Sequence, residues 1–485
     1  MDAIFLSLLA VLCVVASANF GIELQTSLGK MSGTVRKVNG EEVEIFYGIP
    51  YARPPLGMYR FGLSSPATPW SDVRDGTIKP PSCWQPTGQP ATRFENSDLT
   101  KDDLNISEDC LYLNIWRPKK RTEAKSILVW IHGGGFWTGS AVLGEEEGAG
   151  IVAFEDVILV TIAYRLGALG FMFVADQMQG NAGIFDQAFA MDWLKRNARN
   201  LGGDPNDITI MGEGAGAASV GFHLLAPMSK DKFSKAIMQS GSPVAPWAFM
   251  DSGKASNRTV TVAENLGCNS SESLMTFWNC MRTISAENFT SEFMKFKESW
   301  DDLPLAPIID NWHFKAHPRE MLQSAEIKVT KVLVGLDKNE GIEKAALEFM
   351  PNYNIQKKPK LKNRKEFRDS ILEIADGYEY LQKSLLGVYW SEQPRNTNAR
   401  VEILDNAVGD SLYKCPALDF AREYTKRGGQ VYLYSLEDSI STNPWPKWMG
   451  ATHGSEIKVE LGVPMLPNSG NTKPEMNLSK KFMEL

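Results

Sequence analysis

The segment Met211-Gly-Glu-Gly-Ala-Gly-Ala217 follows an apolar run and opens an alanine-rich stretch, so it reads as a strand-to-helix turn. Two kinds of chemistry use such a turn. In a nucleophile elbow, G-x-S-x-G, a strained turn lifts a serine hydroxyl above a sheet. In a dinucleotide fingerprint, G-x-G-x-x-G/A, bare backbone approaches a pyrophosphate at the helix N-terminus. Gly212, Gly214 and Ala217 satisfy the second pattern, whereas the first has glycine at 214 in place of its serine.

Context separates the two. The fingerprint needs an acid at the end of the next strand, about 20 residues on. That strand, Lys235 to Met238, ends in Gln239-Ser-Gly-Ser242. The elbow needs an oxyanion loop upstream, and His132-Gly-Gly-Gly-Phe136 supplies one directly after a strand. It also needs an acid and then a histidine downstream, each after a strand. Glu340 follows the strand ending at Val334, and His453 follows the strand ending at Tyr434. The elbow is the stronger reading and dinucleotide binding the remote one. Ser219 lies more than a helical turn beyond Gly214 and cannot replace the missing hydroxyl. His313 and His317 have i, i+4 spacing without an H-E-x-x-H pattern, so no metal site is expected. His223 reads as a packed or capped histidine.

The elements that must position these groups are short β-branched runs, each followed by a helix-compatible segment. Ser126 to Ile131, Val157 to Ala163, Asp207 to Met211, Lys235 to Met238, Lys331 to Val334 and Gln430 to Tyr434 form the series. Near-continuous apolar strands alternating with helices predict an α/β fold: a large, mostly parallel twisted sheet with helices on both faces. The opening differs, because Gly33 to Val35 and Val43 to Tyr47 read as a small N-terminal β-meander. A basic run from Lys357 to Lys365 reads as a solvated loop before a helix at Glu366, with docking of an acidic partner as the sharper alternative.

Composition narrows the classes further. The 485 residues carry a net charge of −7, with 22% charged and 43% hydrophobic. Such a mix excludes general disorder, and the lack of a basic excess argues against a nucleic-acid partner. Ile4 to Val15 is apolar and precedes Ala16-Ser-Ala18, the pattern of a cleaved leader, although Asp2 stands where a basic residue is usual. The run is shorter than the roughly 20 apolar residues of a membrane span, and no later stretch is long enough. Residues 1–18 are therefore expected to be a signal peptide and 19–485 a single secreted domain in an oxidising compartment. Sequons at Asn105, Asn257, Asn269, Asn288 and Asn477 agree with secretion and glycosylation. Cys13 would leave with the leader, and an odd number of cysteines would remain.

These residues resemble the cholinesterase and type-B carboxylesterase family of α/β-hydrolases. The matching stretches are Phe46 to Gly57, Ser107 to Trp116, Trp130 to Phe136, Tyr164 to Gly170, Gly180 to Gln187 and Gln239 to Pro243, with Trp445 to Gly450 leading into His453. The resemblance runs from about Gly33 to the last residue. It implies that Glu340 is a triad acid and His453 the general base, and that Gly134, Gly135 and the Ala215 amide form an oxyanion hole. Gly214 then holds the nucleophile position with its serine lost, and no acyl-enzyme can form. The resemblance also implies ion pairs Arg60–Glu108 and Arg165–Asp186, disulfides Cys83–Cys110 and Cys268–Cys280, and an unpaired Cys415 whose family partner lies farther downstream. Asn477 to Leu485 then reads as the first turns of a helix in a chain short at its C-terminus. Any homodimer built on the following helices would be weakened.

Glu213, Trp137, Trp247 and Trp300 are the remaining pocket candidates, although each tryptophan reads more readily as packing. Compared with the family, the choline-site tryptophan position falls on Thr100. Leu303 to Ile309 is shorter than the acyl-pocket loop and lacks its aromatics, and Ile342-Glu-Lys344 replaces gorge aromatics. The expectation is a secreted cholinesterase-like chain without cofactor or hydrolase activity, binding a small ester, a hydrophobic ligand or a protein partner. An ester hydrolase in which residue 214 is a variant or an error is the second reading.

Overall fold

The computed structural model describes residues 21–86, 105–175, 177–296, 303–324, 326–349, 357, 364–375, 379–390, 397–441, 443–467 and 469–485. The expected leader, Thr100, Trp300 and most of the Lys357–Lys365 run lie outside the described residues. The strands are β1 (Ile22–Gln25), β2 (Lys30–Val38), β3 (Glu41–Pro50), β4 (Arg74–Asp75), β5 (Ser82–Cys83), β6 (Ile106–Ser107) and β7 (Tyr112–Pro118). They continue with β8 (Lys125–Ile131), β9 (Ile158–Ile162), β10 (Gly203–Glu213), β11 (Lys235–Gln239), β12 (Lys331–Asp337) and β13 (Gln430–Leu436).

One large sheet has the order β1-β2-β3-β7-β9-β8-β10-β11-β12-β13, with β4 beside β2, while β5 pairs with β6 apart from it. From β9 through β8 to β13 every pairing along this path is parallel. On the other side, β1, β2, β3, β7 and β9 pair antiparallel. The sheet is therefore mixed, and the N-terminal meander is the antiparallel wing of the main sheet. Its ladder continues into the parallel half through β7 and β9.

All six expected core strands are present. Strand β9 is one residue shorter at each end than expected, whereas β10 runs past its apolar residues because backbone pairing does not need an apolar side chain: Gly203 already pairs with Lys125, across a register shift. Strand β9 is covered on both faces, with Ile158, Leu159, Val160 and Ile162 all at 0% exposure. Each such side chain contributes roughly 1.5–3 kcal/mol. Thr161 fits the same layer because its hydroxyl donates to the Ala141 carbonyl at 2.6 Å. The crossover helix Ala182–Leu201 buries Ile184, Ala188, Met191 and Leu194, a stripe at helical spacing, and ends on Gly202 at φ +87°.

Two cross-links fix the loops around this core. Cys83–Cys110 and Cys268–Cys280 are disulfides, and Cys415 is free and exposed. Arg60 Nε lies 2.7 Å from Glu108 and Arg165 Nη2 lies 2.7 Å from the fully buried Asp186. The last helix is Lys473–Met483, starting earlier than Asn477. Thr472 and Glu475 form a capping box there, with Pro474 in the first turn. No helix among the described residues is long and apolar enough to cross a membrane.

Candidate functional site

In a parallel sheet the strands finish on one edge, so the loops after β8, β10, β12 and β13 can converge. The turn after β10 explains its own glycines. A Cβ on Gly212 would sit 2.5 Å from the Gly216 carbonyl carbon, and one on Gly216 would sit 2.0 Å from the Ile131 carbonyl oxygen. Strand and helix approach so closely that both positions exclude a side chain. Gly214 differs. It holds φ +55° and ψ −117°, and a Cβ there would meet only His453 Nε2, at 3.3 Å, and its Cε1, at 3.8 Å. The helix Ala215–Leu225 behind the turn is buried along its whole length.

His453 stands over this turn. Its Nδ1 lies 2.7 Å from Glu340 Oε2, so the residues marked as acid and base meet across the sheet edge. Glu340 is pinned in turn: its Oε1 accepts from the Ser240 hydroxyl at 2.7 Å and from the Asp337 amide at 2.8 Å. Ser240 holds φ +53°, a strained conformation for a residue with a side chain. The two loops are tied directly by the Asn339 amide donating to the Ala451 carbonyl at 2.8 Å. Asp405 accepts from Asn339 Nδ2 at 2.7 Å and from the Gly341 amide at 3.0 Å.

The other imidazole nitrogen is occupied as well. His453 Nε2 lies 2.8 Å from Glu213 Oε1, which puts the ring between two carboxylates. Burial opposes its protonation, but the Glu213 charge, the nearby Tyr413 and the bonds to Glu213 and Glu340 hold its pKa well above the ordinary value. Glu343 is buried close by, and that burial pushes its carboxyl up to about 8, against the pull of His453 and Thr452. Burial likewise raises Glu460 to about 8.

The glycine loop after β8 closes the floor opposite. Gly134 and Gly135 take φ +102° and +59°, and they line the same cavity as Gly214, Ala215 and His453. The cavity measures about 440 Å³. Trp137 and Trp247 line it, with their indole N–H groups donating to the carbonyls of Leu305 and Leu412, each at 3.0 Å. The Tyr413 ring packs against His453, tilted by 38° with ring centroids 4.4 Å apart. Leu303 and Pro304 of the short loop complete the wall.

The remaining candidates fall elsewhere. Ser219 accepts from Gln187 at 3.1 Å in the core, and His223 bonds Ser229 and Gln187. His313 pairs with Asp310 at 2.6 Å, while His317 caps the short helix Pro318–Met321. No group of residues suited to a metal occurs among the described residues. Asn105, Asn257, Asn269, Asn288 and Asn477 are all exposed. Sequence reasoning missed Tyr413 and Ser240 as neighbours of the site, and no local signal marks either. It placed Glu213 in the pocket without its bond to His453.

A family model described as the carboxylesterase family matches residues 21–485. The chain belongs to the carboxylesterase family. Its large sheet with surrounding helices is accordingly an α/β-hydrolase fold. This carboxylesterase-family chain is 36% identical to a cholinesterase of Mus musculus over 467 residues, covering 95% of this chain and 77% of that one. It is 35% identical to an acetylcholinesterase of Bungarus fasciatus over 472 residues, with the same coverage. An acetylcholinesterase of Leptinotarsa decemlineata is 32% identical over 485 residues, again covering 95% and 77% of the two chains.

Proposed function

We propose that this carboxylesterase-family protein is a secreted, glycosylated binding protein that does not hydrolyse esters through an acyl-enzyme. Gly214 carries the reading. It occupies the one position of the elbow where a Cβ would fit beneath His453 Nε2, and it offers no hydroxyl there. Acyl transfer needs an oxygen that attacks the acyl carbon while histidine takes its proton. Here Glu340 takes the part of the acid, His453 that of the base, and Gly134, Gly135 and Ala215 that of the oxyanion hole, without a nucleophile. A triad lacking its serine retains roughly 10³–10⁴-fold acceleration over water, far below a working esterase. The relatives are named as cholinesterases, but choline recognition is not carried over. Quaternary ammonium needs an aromatic face, and buried Glu343 and Lys344 stand where the family places gorge aromatics. Secretion is supported by the leader-like opening, the two disulfides and the exposed sequon asparagines.

The test is an ester-hydrolysis assay on the purified chain with short acyl esters, beside a Gly214→Ser variant. Background turnover in the parent and a burst of acyl-enzyme in the variant are expected. Vigorous turnover by the parent would sink the reading. One observation bears on a second reading, an ester hydrolase with serine at 214: a Cβ there would meet only the His453 ring, although φ +55° strains any side chain at that position. Sequencing independent transcripts distinguishes them, since serine at codon 214 would restore the hydrolase.

A further inference from the structure

Strand β13 ends one side of the large sheet, with β12 as its single strand neighbour among the described residues. The Gln430 amide donates to the Thr330 carbonyl at 3.2 Å, and the Leu436 carbonyl accepts from the Lys338 amide at 2.9 Å. Backbone groups alternate sides along a strand, so Gln430, Tyr432, Tyr434 and Leu436 turn theirs toward β12. Val431, Leu433 and Ser435 therefore present their N–H and C=O groups at the free edge. The side chains leave that edge open as well. Tyr432 on one face and Leu433 on the other are each 56% exposed. The last helix covers the next tyrosine instead, with the Tyr434 ring centroid 5.0 Å from that of Phe482.

Sheet edges are ordinarily guarded by a charge, a proline, a bulge or a short strand, because bare backbone recruits another strand. The opposite edge follows that rule: β1 has four residues and carries Glu23, paired with Lys30 at 3.0 Å. The seven residues of β13, Gln-Val-Tyr-Leu-Tyr-Ser-Leu, include no charge and no proline, and its register with β12 is unbroken. Charges stand at its two ends instead, and they have opposite sign. Exposed Lys426 and Arg427 precede the strand, and exposed Glu437 and Asp438 follow it. Lys426 pairs with Glu423 and Glu437 with Lys338, whereas Arg427 and Asp438 have no ion pair among the described residues.

We propose that β13 is the contact surface of a two-fold dimer, in which a second copy of this chain lays its own β13 antiparallel to the first. Two properties select that occupant. An antiparallel copy brings the basic entrance of one strand to the acidic exit of the other, with Arg427 toward the partner's Asp438. A parallel copy would set like charges together. The outward residues also match themselves about Leu433, which pairs with the partner's Leu433 while Val431 pairs with the partner's Ser435. Each such pair exchanges two backbone bonds, so about six form. In the same register Tyr432 faces the partner's Tyr434, an aromatic cross-strand pair. The contact uses the free edge of both copies and so closes as a dimer. It does not depend on the state of position 214.

The test is sedimentation of the full chain across micromolar concentrations, in a Cys415→Ser background that removes cross-linking through the free thiol. A reversible monomer–dimer equilibrium is expected. Leu433→Lys puts like charges on the two-fold axis in place of an apolar contact, and should weaken the dimer more than about tenfold. Arg427→Asp and Asp438→Arg should each weaken it a few-fold, and the two together should restore it. Lost folding cannot produce that rescue, and melting curves check each variant. Hydrogen exchange resolved to single amides gives a second readout. Val431, Leu433 and Ser435 should gain protection as the dimer forms, while Tyr432 and Tyr434 stay protected by β12 throughout. A monomer at every concentration overturns the proposal. So does a dimer that Leu433→Lys leaves intact, a charge swap that fails to rescue, or Leu433 exchange that ignores assembly.

Discussion

Glu213 Oε1 lies 2.8 Å from His453 Nε2, the nitrogen that faces Gly214. The carboxylate next to Gly214 thus occupies the nitrogen that would face a side chain at that position. This bond and the Glu340 bond on its other nitrogen raise the His453 pKa. A histidine that carries both ring protons has no lone pair for accepting another.

Glu213→Gln removes one of the two carboxylates while keeping the shape. The His453 pKa is expected to fall in an NMR titration of the imidazole signals, because the Glu213 charge is the largest influence that raises it. No change in that titration would contradict the clamped arrangement.

In Gly214→Ser, hydrolysis requires neutral His453. Ester turnover should therefore increase as pH rises through the elevated histidine pKa, and adding Glu213→Gln should move the profile toward neutrality. The same substitution places a side chain at φ +55°, which costs about 1–3 kcal/mol in denaturant unfolding. A profile already flat at neutral pH in the single variant would contradict the prediction.

Two buried carboxyls make the fold sensitive to base. Glu343 and Glu460 are both raised by burial to about 8 in the folded chain, from about 4.5 in the unfolded one. The unfolded state releases their protons first, so their contribution is fully present below pH 4.5 and is lost as pH rises to about 8. Each group contributes a slope of about 1.4 kcal/mol per pH unit within that window. Melting temperature should fall across it, and Glu343→Gln should flatten the fall.

The Arg165–Asp186 pair is desolvated, with side-chain exposures of 2% and 0%. Arg165→Ala leaves Asp186 charged without its partner, although Ser64 still donates to it. A loss of about 3–5 kcal/mol is expected in chemical denaturation. A loss near zero would mean that water or a side-chain shift replaces the arginine.

Thiol counting tests the cysteine assignment on the purified chain. One native thiol, Cys415, is expected to react, and slowly, because burial and the neighbouring acids Asp410 and Asp419 raise its pKa. A second native thiol would show a retained Cys13, and two extra thiols an open disulfide.

The sequence by itself determined the parts of this protein that depend on local chain geometry. Gly212 and Gly216 mark a turn too tight for side chains, and Gly214 between them carries none. Runs such as Ile158 to Ile162 announce strands because both of their faces need cover. Family motifs marked Glu340 and His453 for one site, and His453 Nδ1 lies 2.7 Å from Glu340 Oε2. What the sequence left open was how distant groups share atoms. Nothing near Glu213 says that it, and not water, meets His453, since that distance depends on where the loops after β10 and β13 end. The same holds for Tyr413 over the imidazole. Strand and turn signals act over a few residues, whereas a shared hydrogen bond or a ring contact depends on ångström-scale placement of elements far apart in the chain. Only the packed sheet fixes that placement.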